Sequence, residues 1–251
     1  MIKLSAIIIA KDEENNILRC LSSLDNIIDD AVVIIDSRTK DKTFEISKTF
    51  SFVNSEVIEW KGYSKTKIYA LSKTKYDWVL WIDADEELTP QLQNELKEFK
   101  INEPEYDCYD VARRAYFLNK WIKHSGWYPN RIKRLFNKSK IFFDDKDVHE
   151  GLIVNGKIGH LKHDLNHYTD PNIFHYLEKL NNYTSLAAEE LYNKNKKTSL
   201  NDIFLRPLFI FVKMFILRLG FLDGFHGFLL ASFSSFYVFT KYVKLWEFYK
   251  K

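Results

Sequence analysis

Residues 78–90 read WVLWIDADEELTP, an apolar run that ends in Asp83, Asp85, Glu86 and Glu87, four carboxylates within five residues. Like charges this close repel, so the segment is either a solvated strand end or a site built around a cation. An Asp-x-Asp pair at a strand end supplies hard oxygen ligands of the kind Mg2+ or Mn2+ takes, shared with phosphate oxygens. The pair is not needed to start the next helix, because Thr89 reads as its N-cap and Pro90 as its first residue. Two other apolar runs end in similar groups: Lys11-Asp12-Glu13 follows residues 4–9, and Asp36 follows residues 31–35. Ligands of an open α/β sheet bind beyond the carboxyl ends of its strands. Acids at three such ends define a crevice.

Downstream, Glu150 lies in DDKDVHEGL between His149 and Gly151, ahead of an apolar run. A carboxylate at the edge of a packed strand is partly desolvated, and its pKa rises toward the range useful to a general base. Pairing with a nearby basic residue is the competing reading. Asp144, Asp145 and Asp147 read as a solvated loop. Arg131 and Arg134 in WYPNRIKRLF could clamp phosphates bidentately or form a basic strand face. Trp127 and Tyr128 could stack on a sugar or pack a core. His160, His163 and His167 fall within eight residues, but no cysteine or His-Glu-x-x-His helix accompanies them, which disfavours zinc. The absence of a Gly-x-x-x-x-Gly-Lys-Ser/Thr loop, of Gly-x-Gly-x-x-Gly after the first strand and of a Gly-x-Ser-x-Gly elbow disfavours P-loop hydrolysis, dinucleotide binding and α/β-hydrolase chemistry.

The elements that must position these groups alternate over the first hundred residues. Short β-branched runs at 4–9, 31–35 and 78–82, with a shorter one at 57–60, are separated by helix-period segments such as Ile17, Cys20, Leu21 and Leu24. That rhythm predicts a parallel sheet wrapped by helices, and the continuous apolar strands predict a sheet covered on both faces. From about Tyr106 the rhythm gives way to aromatic and basic residues, and Asn155-Gly156 predicts a hairpin among antiparallel ribbons. A helix is expected after Asp170-Pro171, running to about Lys194, because Phe174, Leu177, Leu180 and Tyr183 recur at helical spacing. The expected division is 1–170, split into a nucleotide-binding half (1–105) and an acceptor half (106–170), followed by a helical extension over 171–251.

With 251 residues and 46% hydrophobic composition the chain can fill a substantial core, and a formal charge of +3 makes no case for nucleic acid. Two cysteines, Cys20 and Cys108, read as ordinary buried thiols of a reducing compartment. The first residues lack the apolar region and cleavage site of a signal peptide, so a cytoplasmic location is expected. In the Phe- and Leu-rich tail, Arg206, Lys213 and Arg218 interrupt the first half, and serines, glycines and His226 interrupt the second. An amphipathic hairpin lying on a membrane surface fits this pattern better than a spanning helix. A helical pair closing a core or a homo-oligomer interface is the other reading.

Together, AIIIAKDEENNILRCLSSL, VVIIDSRTKDKT, WKGYSKTKIYAL and WVLWIDADEELTPQL resemble the family-2 glycosyltransferases of the GT-A fold. WYPNRIKRLF, VHEGLIVNG and NHYTDPNIFHYLEKLNNYTSLAAEEL narrow the resemblance to bacterial lipopolysaccharide core β-1,4-glucosyltransferases. The resemblance covers residues 4 to 192. It implies a GT-A type, Rossmann-like and mostly parallel α/β sheet with flanking helices. It also implies inverting, Mg2+- or Mn2+-dependent transfer of a hexose, glucose expected, from a UDP-sugar to a lipid-linked oligosaccharide on the cytoplasmic face of the inner membrane.

Carried over by position, Lys11, Asp12 and Glu13 match the strand-end motif beside the nucleoside, and Asp36 the aspartate that binds uracil. Lys67 stands where a basic residue faces the diphosphate. Asp83 and Asp85 match the metal motif, with Asp85 the more direct ligand and His167 the neighbouring histidine. Glu150 stands where these enzymes place the catalytic base. The chain departs from the pattern at Arg38 and Lys42, which replace glycines, at Thr66 and Ile68, which replace Gln and Asn, and at Asp12, which replaces Asn. A metal-dependent nucleotidyltransferase or phosphohydrolase, or a non-catalytic glycolipid-binding module, are the alternatives.

Overall fold

In the computed structural model, which describes residues 1–143 and 152–250, the apolar runs become the middle of one sheet. The elements follow in the order β1 (Leu4–Ala10), α1 (Ile17–Leu24), β2 (Asp30–Asp36), α2 (Thr43–Ser47), β3 (Val53–Ile58), α3 (Tyr63–Ser72), β4 (Trp78–Trp81), β5 (Glu86–Leu88) and α4 (Pro90–Ile101). Then come β6 (Cys108–Phe117), β7 (Lys120–Trp121), β8 (Asn130–Asn137), β9 (Ile141–Phe143), β10 (Leu152–Val154), β11 (Ile158–His160) and β12 (Leu165–Asp170). The α-helices that follow are α5 (Ile173–Asn193), α6 (Leu200–Val212) and α7 (Phe225–Phe248), with short π- and 3-10-helical turns between the last two.

The main sheet runs β3-β2-β1-β4-β8-β6-β12-β5. Strands β3, β2, β1 and β4 are mutually parallel, so their carboxyl ends lie on one edge, while β8 pairs antiparallel with β4. Successive side chains of a strand face opposite ways. Leu4, Ala6 and Ile8 of β1 accordingly join Ala31, Val33 and Ile35 of β2 under Ile17, Cys20, Leu21 and Leu24 of α1. Ile7, Val32, Ile34 and Val79 face the other way and bury Ala70 of α3. Both faces are covered, which is why these strands are apolar throughout.

Thr89 caps α4 as expected, its hydroxyl oxygen accepting from the Leu92 amide at 3.2 Å, with Pro90 at the first position. Asn155-Gly156, in contrast, does not join an antiparallel pair. β10 pairs antiparallel with β9 across residues outside the description, whereas β11 pairs parallel with β6. The Asp107 carboxylate accepts from the Lys157 amide at 2.9 Å, and it lies so close to Gly156 that a Cβ there would fall 2.3 Å from it. Docking onto β6 wins over the local turn preference.

The chain divides into two compact units, residues 1–113 with 131–167, and residues 114–130 with 168–251. The first holds the strand-end carboxylates. In the second, α5 and α7 bury Ala188, Tyr242 and Leu245, and Phe117, Ile122 and Leu230 form another small core. The Asp223 carboxylate accepts from the amides of Lys123 and His124 and pairs with the His124 ring, pinning the loop after β7. Among the described residues no helix is long and apolar enough to cross a membrane.

Candidate active site

Each of the four carboxylates that follow β4 has a partner, and Asp83 and Glu86 share Arg134. Asp83 accepts from the Trp81 indole at 3.1 Å and from Arg134. Glu86, wholly buried, accepts from Arg134 at 2.7 Å and from the Asp83 amide at 3.0 Å, and Arg113 lies 3.5 Å away. Glu87 accepts from Asn166 at 3.1 Å. Asp85 faces His167, with Oδ2 and Nε2 3.3 Å apart. Register explains this last pair, because antiparallel pairing of β5 with β12 sets His167 opposite Glu86, one residue from Asp85.

Arg134 arrives through the neighbouring strand. β8 pairs Leu135 with Leu80, and one residue further on the Arg134 guanidinium lies 4.6 Å from the centre of the Trp81 ring. Its side chain is buried between two acids. Desolvation raises the pKa of the Asp83 carboxyl, but the charge and hydrogen bond of Arg134 outweigh it and hold the value below that of an ordinary aspartate. For Glu86 desolvation prevails, and its pKa stays raised despite Arg134. Lys67 on α3, also buried, places its ammonium 4.0 Å from the centre of the same Trp81 ring. Trp81 thus gathers Lys67, Arg134 and Asp83 into one group.

The same edge continues past β1 and β2. Asp12 takes a left-handed backbone (φ 55°), and its carboxylate accepts from the Lys40 amide at 2.8 Å. The Glu13 amide donates to Thr43 at 2.8 Å, and its carboxylate accepts from Asn16 at 2.8 Å. Lys11 is exposed, its ammonium 4.0 Å from Asp12. Asp36 is buried at the end of β2, where Arg38, which stands in place of a glycine, reaches both carboxylate oxygens. Hydrogen bonding from Arg38 holds the Asp36 pKa low. The arginine and lysine substitutions lie within a turn bonded to the loop after β1.

Other expected residues go elsewhere. His160 pairs with Asp110 at 2.8 Å and His163 with Glu95 at 3.0 Å, so the three histidines serve three separate carboxylates rather than one zinc ion. Arg131 donates to Asp110 and to the Leu161 carbonyl. In the second unit, Trp127 packs edge-on against Phe117 and Tyr128 against Trp121. Glu150 lies outside the described residues. Reading the sequence missed Glu86 and Trp81 as members of the group. Their signal is faint, one more acid in an acidic run and a strand aromatic that gain meaning when Arg134 arrives from about fifty residues downstream.

A divalent cation fits Asp85 and His167 better than Asp83, whose oxygens are engaged by Trp81 and Arg134. Among the described residues no group of three or more His, Cys, Asp or Glu side chains could hold a metal ion.

Residues 5–162 match the family described as Glycosyl transferase family 2. An uncharacterised glycosyltransferase of Rickettsia typhi is 32% identical over 260 residues, covering 98% of this chain and 88% of that one. The lipopolysaccharide core biosynthesis glycosyltransferase LpsC of Rhizobium meliloti is 26% identical, covering 97% and 92%. Among solved structures, S. aureus TarS 1–349 in complex with UDP aligns with a TM-score of 0.50 at 16% identity, covering 99% of this chain and 91% of that one, a likeness of fold. The chain belongs to glycosyl transferase family 2, a transferase built on the GT-A fold.

Proposed function

We propose that the chain transfers a hexose, glucose being the expected sugar, from a UDP-sugar to a lipopolysaccharide or lipooligosaccharide core acceptor, with inversion at the anomeric carbon. The observation that carries this reading is the meeting, at one sheet edge, of the Asp85–His167 pair with the Lys67–Trp81–Asp83–Arg134 group. A carboxylate–imidazole pair beside fixed cations suits a diphosphate that travels with its own cation. LpsC supports the class of acceptor, and the UDP bound to TarS supports the class of donor.

Asp85 and His167 would hold Mg2+ or Mn2+, which when bound neutralises charge on the departing diphosphate. Lys67 adds a buried positive charge near that group. Asp36 reads the uracil imide once Arg38 swings off its carboxylate, and Lys11 and Glu13 border the nucleoside. Glu150 takes the proton of the acceptor hydroxyl as that oxygen bonds to the anomeric carbon and the bond to the diphosphate breaks on the opposite face. Glu150→Gln keeps the shape and removes the basic oxygen, so turnover should fall by roughly 10²-fold with UDP affinity unchanged. Steady-state rates and calorimetry check this. Near-normal turnover would move the role to another acid, with Asp147 next in line.

The tail suits the same reading. Phe204, Leu208, Leu217, Leu222 and Phe225 are exposed within one stretch of the second unit, Leu217 at 66% and Phe225 at 69%. So much apolar surface in one segment marks an interaction face, and a lipid-linked acceptor makes the membrane surface its natural partner. Leu217→Glu combined with Phe225→Glu should cut co-sedimentation with phosphatidylglycerol–phosphatidylethanolamine vesicles several-fold. UDP binding should be unchanged. Unchanged sedimentation together with a halved solution mass would assign the face to a second copy instead.

A further inference from the structure

Beside Asp83 the first unit holds a cleft of about 410 Å3 with four cationic side chains in its wall, Arg113, Arg131, Lys133 and Arg134. Three of these are answered by acids: Arg134 by Asp83 and Glu86, Arg113 by Glu86, and Arg131 by Asp110. Lys133 differs. Its ammonium donates to the Leu152 carbonyl at 2.9 Å, a neutral group, and it forms no salt bridge with the described residues. Among the described residues, three acids, Asp83, Glu86 and Asp110, face these four cations, one acid fewer than the cations. In addition, the Nε groups of Arg113 and Arg134 are buried without a hydrogen-bond partner among the described residues. A cleft wall in which an ammonium is met by a carbonyl rather than a carboxylate is stabilised by an anionic oxygen ligand.

We propose that this cleft binds a phosphate or carboxylate group carried by the saccharide acceptor, an inference that rests on the transferase reading above. The donor brings its diphosphate to Asp85 and His167, whereas Lys133 reaches the cleft from β8, the strand next to β4 on the side away from β1 and β2. An acceptor with an anionic substituent is thereby held near Asp83, and a neutral one lacks this anchor.

The test uses the full chain with inorganic phosphate as the probe, titrated at constant ionic strength against a chloride control and followed by thermal shift. Phosphate should bind equally well without UDP and with saturating UDP and Mn2+. Lys133→Met should weaken phosphate by about tenfold, the scale of one charged hydrogen bond, and Lys133→Arg should restore it. UDP affinity should stay within about twofold in both variants, because Lys133 belongs neither to the Asp85–His167 pair nor to the group around Trp81. Loss of phosphate binding on adding UDP would give the cleft to the donor's diphosphate and overturn the proposal. So would phosphate affinity that is the same in the Met and Arg variants. Should the wild type bind no UDP, the donor reading fails while the phosphate titration still decides the cleft.

Discussion

Asp85→Ala is expected to lower turnover by roughly 10³-fold or more, since several kcal/mol of leaving-group stabilisation is lost at about 1.4 kcal/mol per factor of ten. The fold should remain, because Asp85 is partly exposed and pairs with His167, itself partly exposed, rather than with the buried core. The thermodynamic signature is more telling than the rate. In the wild type, Mn2+ should tighten UDP binding in calorimetry, and in Asp85→Ala it should not. Asp83→Ala should behave differently. Its carboxylate belongs to the Arg134 and Trp81 group, so stability should fall along with activity. Unchanged metal dependence in Asp85→Ala would remove Asp85 from the cation site.

Arg134→Met is expected to destabilise the fold by about 3–5 kcal/mol at pH 7, the cost of leaving a buried ion group without its counter-charge. Glu86 is wholly buried, and among the described residues it would keep the Asp83 amide and the more distant Arg113. At about 2–4 °C per kcal/mol for a chain of this size, Tm should drop by roughly 10 °C or more. The sign of the pH dependence follows from the two acids. Glu86 already has a raised pKa, and removal of Arg134 raises it further. Its native state therefore binds a proton that the unfolded chain releases, and stability falls as pH rises from the unfolded pKa through the folded one. Asp83 has its pKa held low by Arg134. That contribution is present in the wild type above the ordinary aspartate pKa and is lost as pH falls through the lowered value. Both effects narrow the gap between variant and wild type on acidification. Adding Glu86→Gln to Arg134→Met should recover part of the loss, as removing both partners costs less than stranding one. A double variant no more stable than the single would show that the group does not act as an electrostatic unit.

The strands were legible because burial on both faces forces unbroken β-branched runs, and their parallel order follows from the helices between them. The Asp-x-Asp segment was legible as chemistry, since Thr89 and Pro90 already account for the helix start. Arg134 was not. Lying between Ile132 and Leu135 on a basic-looking strand, it reads as a phosphate clamp or a surface charge. It turns inward only because β8 runs antiparallel to β4 and delivers it to Trp81. Asn155-Gly156 misled for a related reason, as a local turn preference yields where Asp107 and β6 offer more pairing. The Arg38 clamp on Asp36 was visible only as a departure from the glycine of the family pattern. Its geometry depends on the buried carboxylate two residues earlier.

The central claim, cation-dependent binding of a UDP-sugar at the carboxyl edge of the sheet, is tested most directly by a thermal-shift screen of UDP-, GDP-, CMP- and dTDP-sugars with Mn2+ or with EDTA. UDP-glucose with Mn2+ should raise Tm by about 5–10 °C at a ligand concentration near 100 Kd, and the EDTA arm should remove most of that shift. The same shift in EDTA, or a larger one from a GDP-, CMP- or dTDP-sugar, would contradict it.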